Sequence, residues 1–465
     1  MGTISEKLTY LEETKELIKQ AIVDKGVEVN DTDTFRSYAD KISEIEGGGG
    51  TIVLPTSISF QNAKDSDLSF FINANTDTSN LTTMQNMFYA CQNITSLDVS
   101  NFDTSKVTSL YNCFRNCTNL RTLDVSRWDT SNCTNYQDVF YSSGIVYLNV
   151  SNWDLSKSNE TTYSAGSAQI FRDMGSLQTI DCQNTKVPEK VYYLGYMFNE
   201  CPSLNTFDYF NKFNPAYVRD VNNAFTRCIN LKSIDWSEKV FDTSQSYINC
   251  CNTFKNCSSL KSVKLNTTNN LRCEGMFRGC TSLTDVDFEG VKFYDGYGTT
   301  YGGLFQGCTN LVTVKNINFV NRTNGYNFFS YCNNLQKLEM DFNNMNYSSN
   351  FLNYFYTTSH GNNVGNALRY IHLPNIGSYS SLTSLVFNST SKCNFYSWGD
   401  ESDTTNYPHS VGARQSLVDT LVNDSFDRVA AGYPTCIINL YNVVLARLTE
   451  DEIAQATSKG YTLVV

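Results

Sequence analysis

The sequence predicts an α/β solenoid of leucine-rich repeats with about 11 rungs, an N-terminal helical hairpin and a C-terminal α+β cap. The main observation is a phrase, F-x-x-C-x-x-L-x-x-[LIV]-D-[VLF], that recurs at intervals of 23 to 31 residues. Repeats of this length are typical of solenoids, in which each rung buries its apolar face only by stacking on its neighbours. The phrase begins at Phe88, Phe114, Phe140, Phe171, Phe198, Phe225, Phe254, Phe277, Phe305, Phe329 and Phe355.

The last part of each phrase alternates apolar and polar residues, as in Leu97, Asp98 and Val99. Strict alternation predicts a short strand with one buried face. We therefore assign residues 84–390 to the repeats and residues 51–83 to a cap on their N-terminal side. The third rung, which begins at Phe140, is one residue short and lacks the cysteine.

The charge balance argues against nucleic acid as a partner. The chain has 35 Lys+Arg against 46 Asp+Glu, a net charge of -11, whereas a phosphate-binding surface needs a basic stripe. Because 41% of the residues are hydrophobic and only 17% are charged, the chain has enough apolar surface to fold. The sequence has no apolar run of about eighteen residues and no secretory leader pattern, so we expect neither a membrane span nor Sec export.

Eight of the 16 cysteines occupy one position of the phrase, three residues after its Phe. A position repeated on successive rungs points the same way each time, which predicts a buried ladder of reduced thiols. Four disulfides are the less favoured alternative. The sequence has no C-x-x-C pair, and we expect no metal site. The eight are Cys91, Cys117, Cys201, Cys228, Cys257, Cys280, Cys308 and Cys332.

Residues 1–50 form a separate helical unit that ends in a four-glycine linker. Its second helix is predicted from an apolar stripe that includes Phe35, Tyr38 and Ile42. The first helix has a coiled-coil-like seam that could drive oligomerisation, preferably as a homotrimer, or could pack on the second helix within one chain. The seam residues are Ile4, Leu8, Leu11, Ile18 and Ile22, with Lys15 at one further position.

Residues 391–465 depart from the repeat and predict a C-terminal cap that covers the apolar end of the stack. Helical sequence at 416–422 is followed by an alternating strand at 435–441. A helix with Thr449 as its N-cap then ends near Gly460, before a final strand at 461–465.

Catalytic patterns are scarce. The three histidines are not part of any H-E-x-x-H or G-x-S-x-G motif, and Gly296-Tyr297-Gly298 lacks the third glycine of a dinucleotide loop. We therefore expect no cofactor and no enzymatic activity. A carboxylate pair for glycoside cleavage is a less favoured alternative, because the separation of two carboxylates is a property of the fold.

The strongest functional pattern is a column of acidic residues, one at the polar position of most predicted strands. Ser or Thr two residues earlier would add hydroxyls, which gives a face suited to a glycan or to a basic protein patch. The alternative is that each Asp only accepts a backbone N–H bond from the turn after its strand. Lys264 and Lys315 interrupt the column with the opposite sign. The predicted binding residues are Asp98, Asp124, Asp181, Asp208, Asp235 and Asp287.

Tyrosine-rich insertions are the second candidate for binding. Tyrosine has a flat apolar face and a polar tip, which suit sugar rings and protein contacts. A locally packed loop is the alternative. The candidate residues are Tyr294, Tyr297 and Tyr301.

Two parts of the sequence resemble known protein families. Residues 97–105 (LDVSNFDTS), 123–131 (LDVSRWDTS) and 148–156 (LNVSNWDLS), together with the F-x-x-C half, resemble the repeats of BspA-like leucine-rich repeat surface proteins. Residues 1–50 resemble, over a shorter stretch, the attachment segments of bacteriophage tail-fibre and related virion proteins. The first resemblance implies an adhesin that binds without catalysis.

The two resemblances together imply a phage virion protein, in a tail or head fibre, that binds a host surface glycan or protein. Residues 1–50 would then attach the chain to other virion proteins. The alternative is a bacterial cell-surface BspA-like adhesin. A polysaccharide-degrading virion enzyme is the third possibility.

Overall fold

A computed structural model describes residues 15–25, 27–30, 38, 41, 51–65, 68, 71–73, 75–158, 169–205, 207–237, 240–242, 244–265, 270–294, 303–320, 328–341, 368–376, 384–387, 395, 398–402, 405 and 411–465. The described residues form a β-solenoid of about 13 turns. They belong to two compact units, a first unit of Met1–Glu189 with Thr206–Lys212 and a second unit of Lys190–Asn205 with Phe213–Val465. The domain boundaries expected at residues 50, 83 and 390 are a different subdivision and stay predictions.

The strands are short and pair in parallel with the next rung, as stacked repeats require. In the first unit they are β1 (Ile52–Val53), β2 (Thr76–Asp77), β3 (Thr122–Asp124), β4 (Tyr147–Asn149) and β5 (Thr179–Asp181). In the second unit they are β6 (Ser233–Trp236), β7 (Tyr247–Asn249), β8 (Ser262–Leu265), β9 (Asn270–Arg272), β10 (Asp285–Asp287), β11 (Lys292–Tyr294), β12 (Thr313–Val320), β13 (Lys337–Asp341), β14 (Tyr370–His372), β15 (Ser384–Val386), β16 (Cys436–Asn439) and β17 (Tyr461–Val464).

The F-x-x-C half of each rung is a chain of turns whose backbone bonds to the next rung. Around Phe88, alternate N–H groups donate to that rung, as in Asn86 N to Tyr111 O (2.9 Å), Phe88 N to Cys113 O (2.9 Å) and Ala90 N to Arg115 O (2.8 Å). This pattern requires left-handed backbone two residues before and two residues after the Phe, where Asn86 and Ala90 both have φ of 56°. Asn, Asp and Gly tolerate this region best, so their frequency at these positions follows from the turn.

The phenylalanines of the phrase form a continuous stack within each unit. In the first unit the ring centroids of Phe88 and Phe114 are 5.2 Å apart, and those of Phe114 and Phe140 are 5.7 Å apart. Offset ring stacks of this spacing add to the stabilisation from burial. In the second unit the stack contains Phe198, Phe225, Phe254, Phe277, Phe305 and Phe329, at 5.6 to 5.7 Å.

The residues of the LDVSxFDTS half of the repeat also make contacts between rungs. Trp128 stacks on Phe102 (6.2 Å) and its indole N–H donates to Val99 O at 3.1 Å. The hydroxyl of Thr104 is buried and donates to Asp129 O at 3.0 Å. The apolar ring and the threonine of this phrase therefore hold neighbouring rungs together.

The rung count of about 11 is lower than the observed number of turns because rungs exist outside the phrase. Phe60 stacks on Phe88 at 5.9 Å, and Asn62 has the left-handed φ of 64°. The sequence there reads Phe60-Gln61-Asn62-Ala63, so alanine stands where the phrase has cysteine. Part of the segment assigned to an N-terminal cap is thus itself a rung.

The end of the second unit mixes strands and helices. Strands β15, β16 and β17 form a parallel three-stranded sheet, so the stacking direction of the repeats persists there. The helices are α2 (Ala413–Val418), α3 (Asn442–Leu445) and α4 (Glu450–Ser458), and a π-helical turn, Asp419–Asn423, follows α2. Thr449 and Glu452 cap α4 reciprocally.

In the N-terminal region the structure describes a helical stretch, α1, at residues 15–23, and Tyr38 and Lys41 are also helical. Ile22, Val29 and Tyr38 are buried together there, with Ile18 packed against them. Two of the predicted seam residues therefore lie against residues of their own chain. The other three, Ile4, Leu8 and Leu11, lie outside the described residues.

The cysteine ladder has a specific hydrogen bond. The thiol of Cys117 lies 3.0 Å from Phe88 O of the preceding rung, and that of Cys280 lies 3.1 Å from Phe254 O. All fifteen cysteines within the described ranges are buried and none forms a disulfide. The thiol is thus a small apolar side chain that also satisfies a buried carbonyl.

We expect the stability of the protein to fall at alkaline pH because the thiols ionise. Burial raises the pKa of Cys91 to about 11 and that of Cys308 to about 12, from an ordinary value of 9.0. A raised pKa contributes stability that is complete below pH 9.0 and is lost as the pH rises through the folded values. Urea midpoints between pH 8 and pH 11 test this, and the Cys308→Ala variant should lose less stability over that interval than the parent. An equal loss in both proteins would contradict the expectation.

Candidate binding surface

The acidic column of the first unit lies on one exposed strand face. Parallel pairing places Asp124 of β3 opposite Asn149 of β4, and Asn149 opposite Asp181 of β5. The alternation of the sequence buries Leu123 and Val125 and leaves Asp124 exposed between them. Asp98 is also exposed, one rung earlier, although residues 97–99 do not form a regular strand.

Each of these carboxylates also holds the turn that follows it. Oδ1 of Asp98 accepts Ser100 N at 3.0 Å, and Oδ1 of Asp124 accepts Ser126 N at 2.9 Å. The bond from the Ser100 backbone lowers the pKa of Asp98, and the Ser126 hydroxyl lowers the pKa of Asp124, because both bonds favour the ionised form. Asp98 and Asp124 therefore cap these turns, and whether they also bind a ligand stays a prediction.

Capping does not require a charge. Asn149, in register with Asp124, accepts Ser151 N through its amide oxygen at 3.0 Å and makes the same turn. Since Asn is sufficient at this position, the charges of Asp98 and Asp124 are not needed by the backbone.

Asp98 and Asp124 line a common open depression with a cavity volume of about 550 Å³. Tyr147, 42% exposed, and Arg127 belong to the same lining. The sequence argument missed both residues. Tyr147 occupies the position where most rungs have Ser or Thr, so a comparison of that position along the repeat would have found it. The hydroxyls of Ser96, Ser100 and Thr122 complete the polar part of the depression.

In the second unit the column contains both acidic and basic residues, which alternate from strand to strand. Parallel pairing places Asp235 opposite Lys264, with Nζ of Lys264 3.7 Å from Oδ2 of Asp235. It also places Asp287 opposite Lys315. The change of sign at the two lysines therefore follows from cross-strand pairing, which leaves this part of the column nearly neutral.

Asp208 departs from the expected strand position. It is exposed in a turn that leads into a short 3₁₀ helix, Phe210–Lys212, instead of a strand. Among the predicted tyrosines, Tyr294 is the last residue of β11, and its side chain lies outside the described part, as do Tyr297 and Tyr301. The tyrosine surface stays a prediction.

Within the ranges that the structure describes, no three His, Cys, Asp or Glu side chains are placed to hold a metal ion. No helix in those ranges combines the length and the apolar character that crossing a bilayer requires.

Comparison with sequence families identifies the repeats. Residues 56–176 match a family described as a Mycoplasma protein of unknown function, DUF285. Residues 173–292, 222–360 and 252–394 match the BspA type leucine-rich repeat region, which is found in six copies. Residues 173–394 are similar to BspA-type leucine-rich repeats. The leucine-rich repeat class that the sequence predicted is supported over these residues, and neither match covers the N-terminal 55 residues of the chain.

Several solved structures are similar at low identity. The TLR13 chain of a TLR13–ssRNA13 complex is 15% identical with a TM-score of 0.27, over 76% of this chain and 55% of that chain, so this chain spans about half its length. A leucine rich cell surface protein from Faecalibacterium prausnitzii is 14% identical (TM-score 0.26), over 62% and 87%. A leucine-rich repeat protein from Eubacterium ventriosum is 16% identical (TM-score 0.28), over 65% and 80%. These values are too low to transfer a ligand or a location. No curated protein matches significantly.

Proposed function

We propose that the protein is a non-enzymatic adhesin of the bacterial cell surface, and that the depression formed by Asp98, Asp124, Tyr147 and Arg127 is its ligand-binding surface. The match of residues 173–394 to BspA-type repeats supports the adhesin class. The phrase at residues 97–156, which lies outside that match, also resembles the repeats of surface adhesins. The observation that carries the site is the contrast between the two units. Carboxylates are paired with lysines in the second unit and are exposed beside an aromatic ring in the first.

The chemistry of the depression fits a host glycan or a protein segment with hydroxyl or amino groups. Carboxylates accept hydrogen bonds from such groups and contribute more than neutral acceptors do. Tyr147 adds a flat apolar surface against which a sugar ring or an aliphatic stem can pack. Arg127 places a positive charge beside the two carboxylates. A ligand that carries groups of both signs would therefore bind in one orientation.

We expect the double variant Asp98→Asn/Asp124→Asn to lose at least tenfold in affinity without losing stability. Asn can cap both turns, as Asn149 does, so only the charges are removed. A hydrogen bond to a charged group contributes about 1.5–3 kcal/mol, which sets the size of the loss. The measurement is binding to a glycan array and to immobilised matrix proteins, with urea midpoints for the same samples.

Asp103→Asn/Asp129→Asn is the matched control. These carboxylates cap Ser105 N and Ser131 N in the same manner, at 3.0 Å, and do not line the depression. The control should bind like the parent. Equal losses in both double variants, or parental binding by the first, would contradict the site.

The hypothesis of a virion protein depends only on the resemblance of residues 1–50. The family matches give it no support, because they begin at residue 56. Recovery of the protein from purified phage particles would favour it over a bacterial surface location. The polysaccharide-degrading alternative would be supported by new reducing ends after incubation with cell-surface polysaccharide, which we do not expect.

A homotrimer through the N-terminal seam remains a proposal. Because Ile22 is 2% exposed and already packs on Val29 and Tyr38, self-association would have to use the remaining seam residues or displace these contacts. Light scattering on the full chain, compared with a chain beginning at Thr51, tests it. A trimer that becomes a monomer on truncation is the expected outcome, and a monomeric full chain at micromolar concentration would refute it.

A further inference from the structure

Three cationic side chains follow the Phe stack on successive rungs of the second unit. Arg227 lies two residues after Phe225, Lys255 lies one residue after Phe254, and Arg278 lies one residue after Phe277. The turns that carry them are joined directly, since Arg227 N donates to Lys255 O at 2.8 Å and Asn256 N donates to Arg278 O at 2.6 Å. We call these three residues the basic ridge.

The basic ridge has little internal compensation. Nη1 of Arg227 lies 3.1 Å from Oε2 of Glu200 on the preceding rung. Within the part of the chain that the structure describes, neither Lys255 nor Arg278 has a carboxylate at salt-bridge distance. Partial burial, and then the like charge of Arg278, lower the pKa of Lys255, and the charge of Glu200 offsets only part of this effect. Cations concentrated in this way, in a chain of net charge -11, favour an external anion.

The backbone conformation of the turn does not require charged side chains. Arg227 and Glu200 have left-handed backbone, with φ of 61° and 60°, at a position where the following rungs have Asn256, Gly279 and Gly307. A residue other than Gly or Asn costs about 1 kcal/mol in this region. The left-handed backbone of Glu200 and Arg227 is a property of the turn, since Ala90 and Tyr331 adopt it at the same position of their rungs, and the turn needs no charge there.

We propose that the basic ridge binds an anionic polysaccharide chain that runs along the rungs. Arg227 and Arg278 are exposed and Lys255 is half-buried, so all three are within reach of a ligand on the surface. Backbone hydrogen bonds join successive rungs and space them about 4.8 Å apart, which is close to the length of one pyranose residue. A polymer with one carboxylate or sulfate on each sugar can therefore place an anion beside each cation.

The two arginines suit these groups because a guanidinium donates two parallel bonds to a carboxylate or sulfate. A single-stranded nucleic acid is the competing polyanion, and its competition with heparin distinguishes the two ligands. The basic ridge lies in the second unit and shares no residue with the depression of the first unit. The proposal is therefore independent of the adhesin site.

The test compares the parent with the triple variant Arg227→Gln/Lys255→Gln/Arg278→Gln. The probes are immobilised heparin, which carries sulfates and carboxylates, polygalacturonate, which carries carboxylates only, and neutral dextran. We expect the parent to bind at least one of the two charged polymers, with an affinity that falls as salt is raised, and not to bind dextran. The triple variant should lose at least tenfold in affinity at about 0.15 M ionic strength. Its urea midpoint should be unchanged because the substituted side chains are on the surface.

The matched control, Lys232→Gln/Lys261→Gln/Lys292→Gln, removes the same number of charges from exposed lysines outside the basic ridge. It should bind like the parent. Four results would each overturn the proposal: no preference of the parent for charged polymers over dextran, parental affinity in the triple variant, an equal loss in the control, or displacement of heparin by single-stranded DNA at equal charge concentration.

Discussion

The Phe254→Ala variant should lose about 3–5 kcal/mol in the free energy of unfolding of the second unit. The ring of Phe254 is fully buried and lies between Phe225 (5.7 Å) and Phe277 (5.6 Å) in the stack. Its truncation removes the transfer free energy of a large apolar side chain and leaves a cavity that the hydrogen-bonded turns on both sides cannot close. The measurement is the urea midpoint followed by circular dichroism.

A second contact raises the expected cost. Trp236 packs on Phe254 at 5.2 Å, so the truncation disturbs the strand half of the rung as well as the turn half. Phe254→Leu keeps most of the volume and should cost clearly less, since what it loses is the ring contacts, worth about 0.5–1.5 kcal/mol each. If Phe254→Ala unfolded at the same urea concentration as the parent, the stack would not be the core of the unit.

Much of the fold could be predicted because one phrase encodes one rung. The cysteine positions predicted the thiol ladder, since a residue repeated on each rung has the same neighbours each time. The same argument, applied to the phenylalanines, would have predicted the ring stack. The rung at Phe60 was missed because it lacks both the cysteine and the leucine of the phrase, which are replaced by Ala63 and Ser66. The left-handed turns were missed for a different reason. Ala90, Glu200 and Tyr196 adopt positive φ although their side chains disfavour it, because hydrogen bonds between rungs fix the backbone.

The candidate surface could be predicted only in part. The alternation at Leu123, Asp124 and Val125 correctly gave the exposed position of the carboxylate. The repeat also placed Lys264 and Lys315 in the same column, and the strand register agrees, with Asp235 opposite Lys264 and Asp124 opposite the neutral Asn149. The sequence could not give the distance between the side chains, which decides whether a carboxylate and a lysine in register form an ion pair.

The second large loss of stability is expected for the Gly144→Ala variant, because Gly144 lies in the short third rung. This rung has one residue fewer after Phe140 than the others, and the chain compensates by passing close to the preceding rung. A Cβ on Gly144 would lie 1.9 Å from the carbonyl oxygen and 2.6 Å from the carbonyl carbon of Thr118. Those atoms are backbone, so no rotation of a side chain can relieve the overlap and one rung must shift against the other.

The shift would also strain two hydrogen bonds of Gly144, from its N–H to Cys117 O (3.0 Å) and from Nη1 of Arg121 to its carbonyl (3.2 Å). Overpacking against a rigid neighbour and weakened bonds together should cost about 3 kcal/mol of the free energy of unfolding of the first unit. Gly175→Ala is the control in the same unit, because a Cβ there meets no atom within 4 Å, and it should stay within about 0.5 kcal/mol of the parent. Equal urea midpoints for the two alanine variants would show that the third rung accommodates a side chain, and the close approach could not then be the compensation for its missing residue.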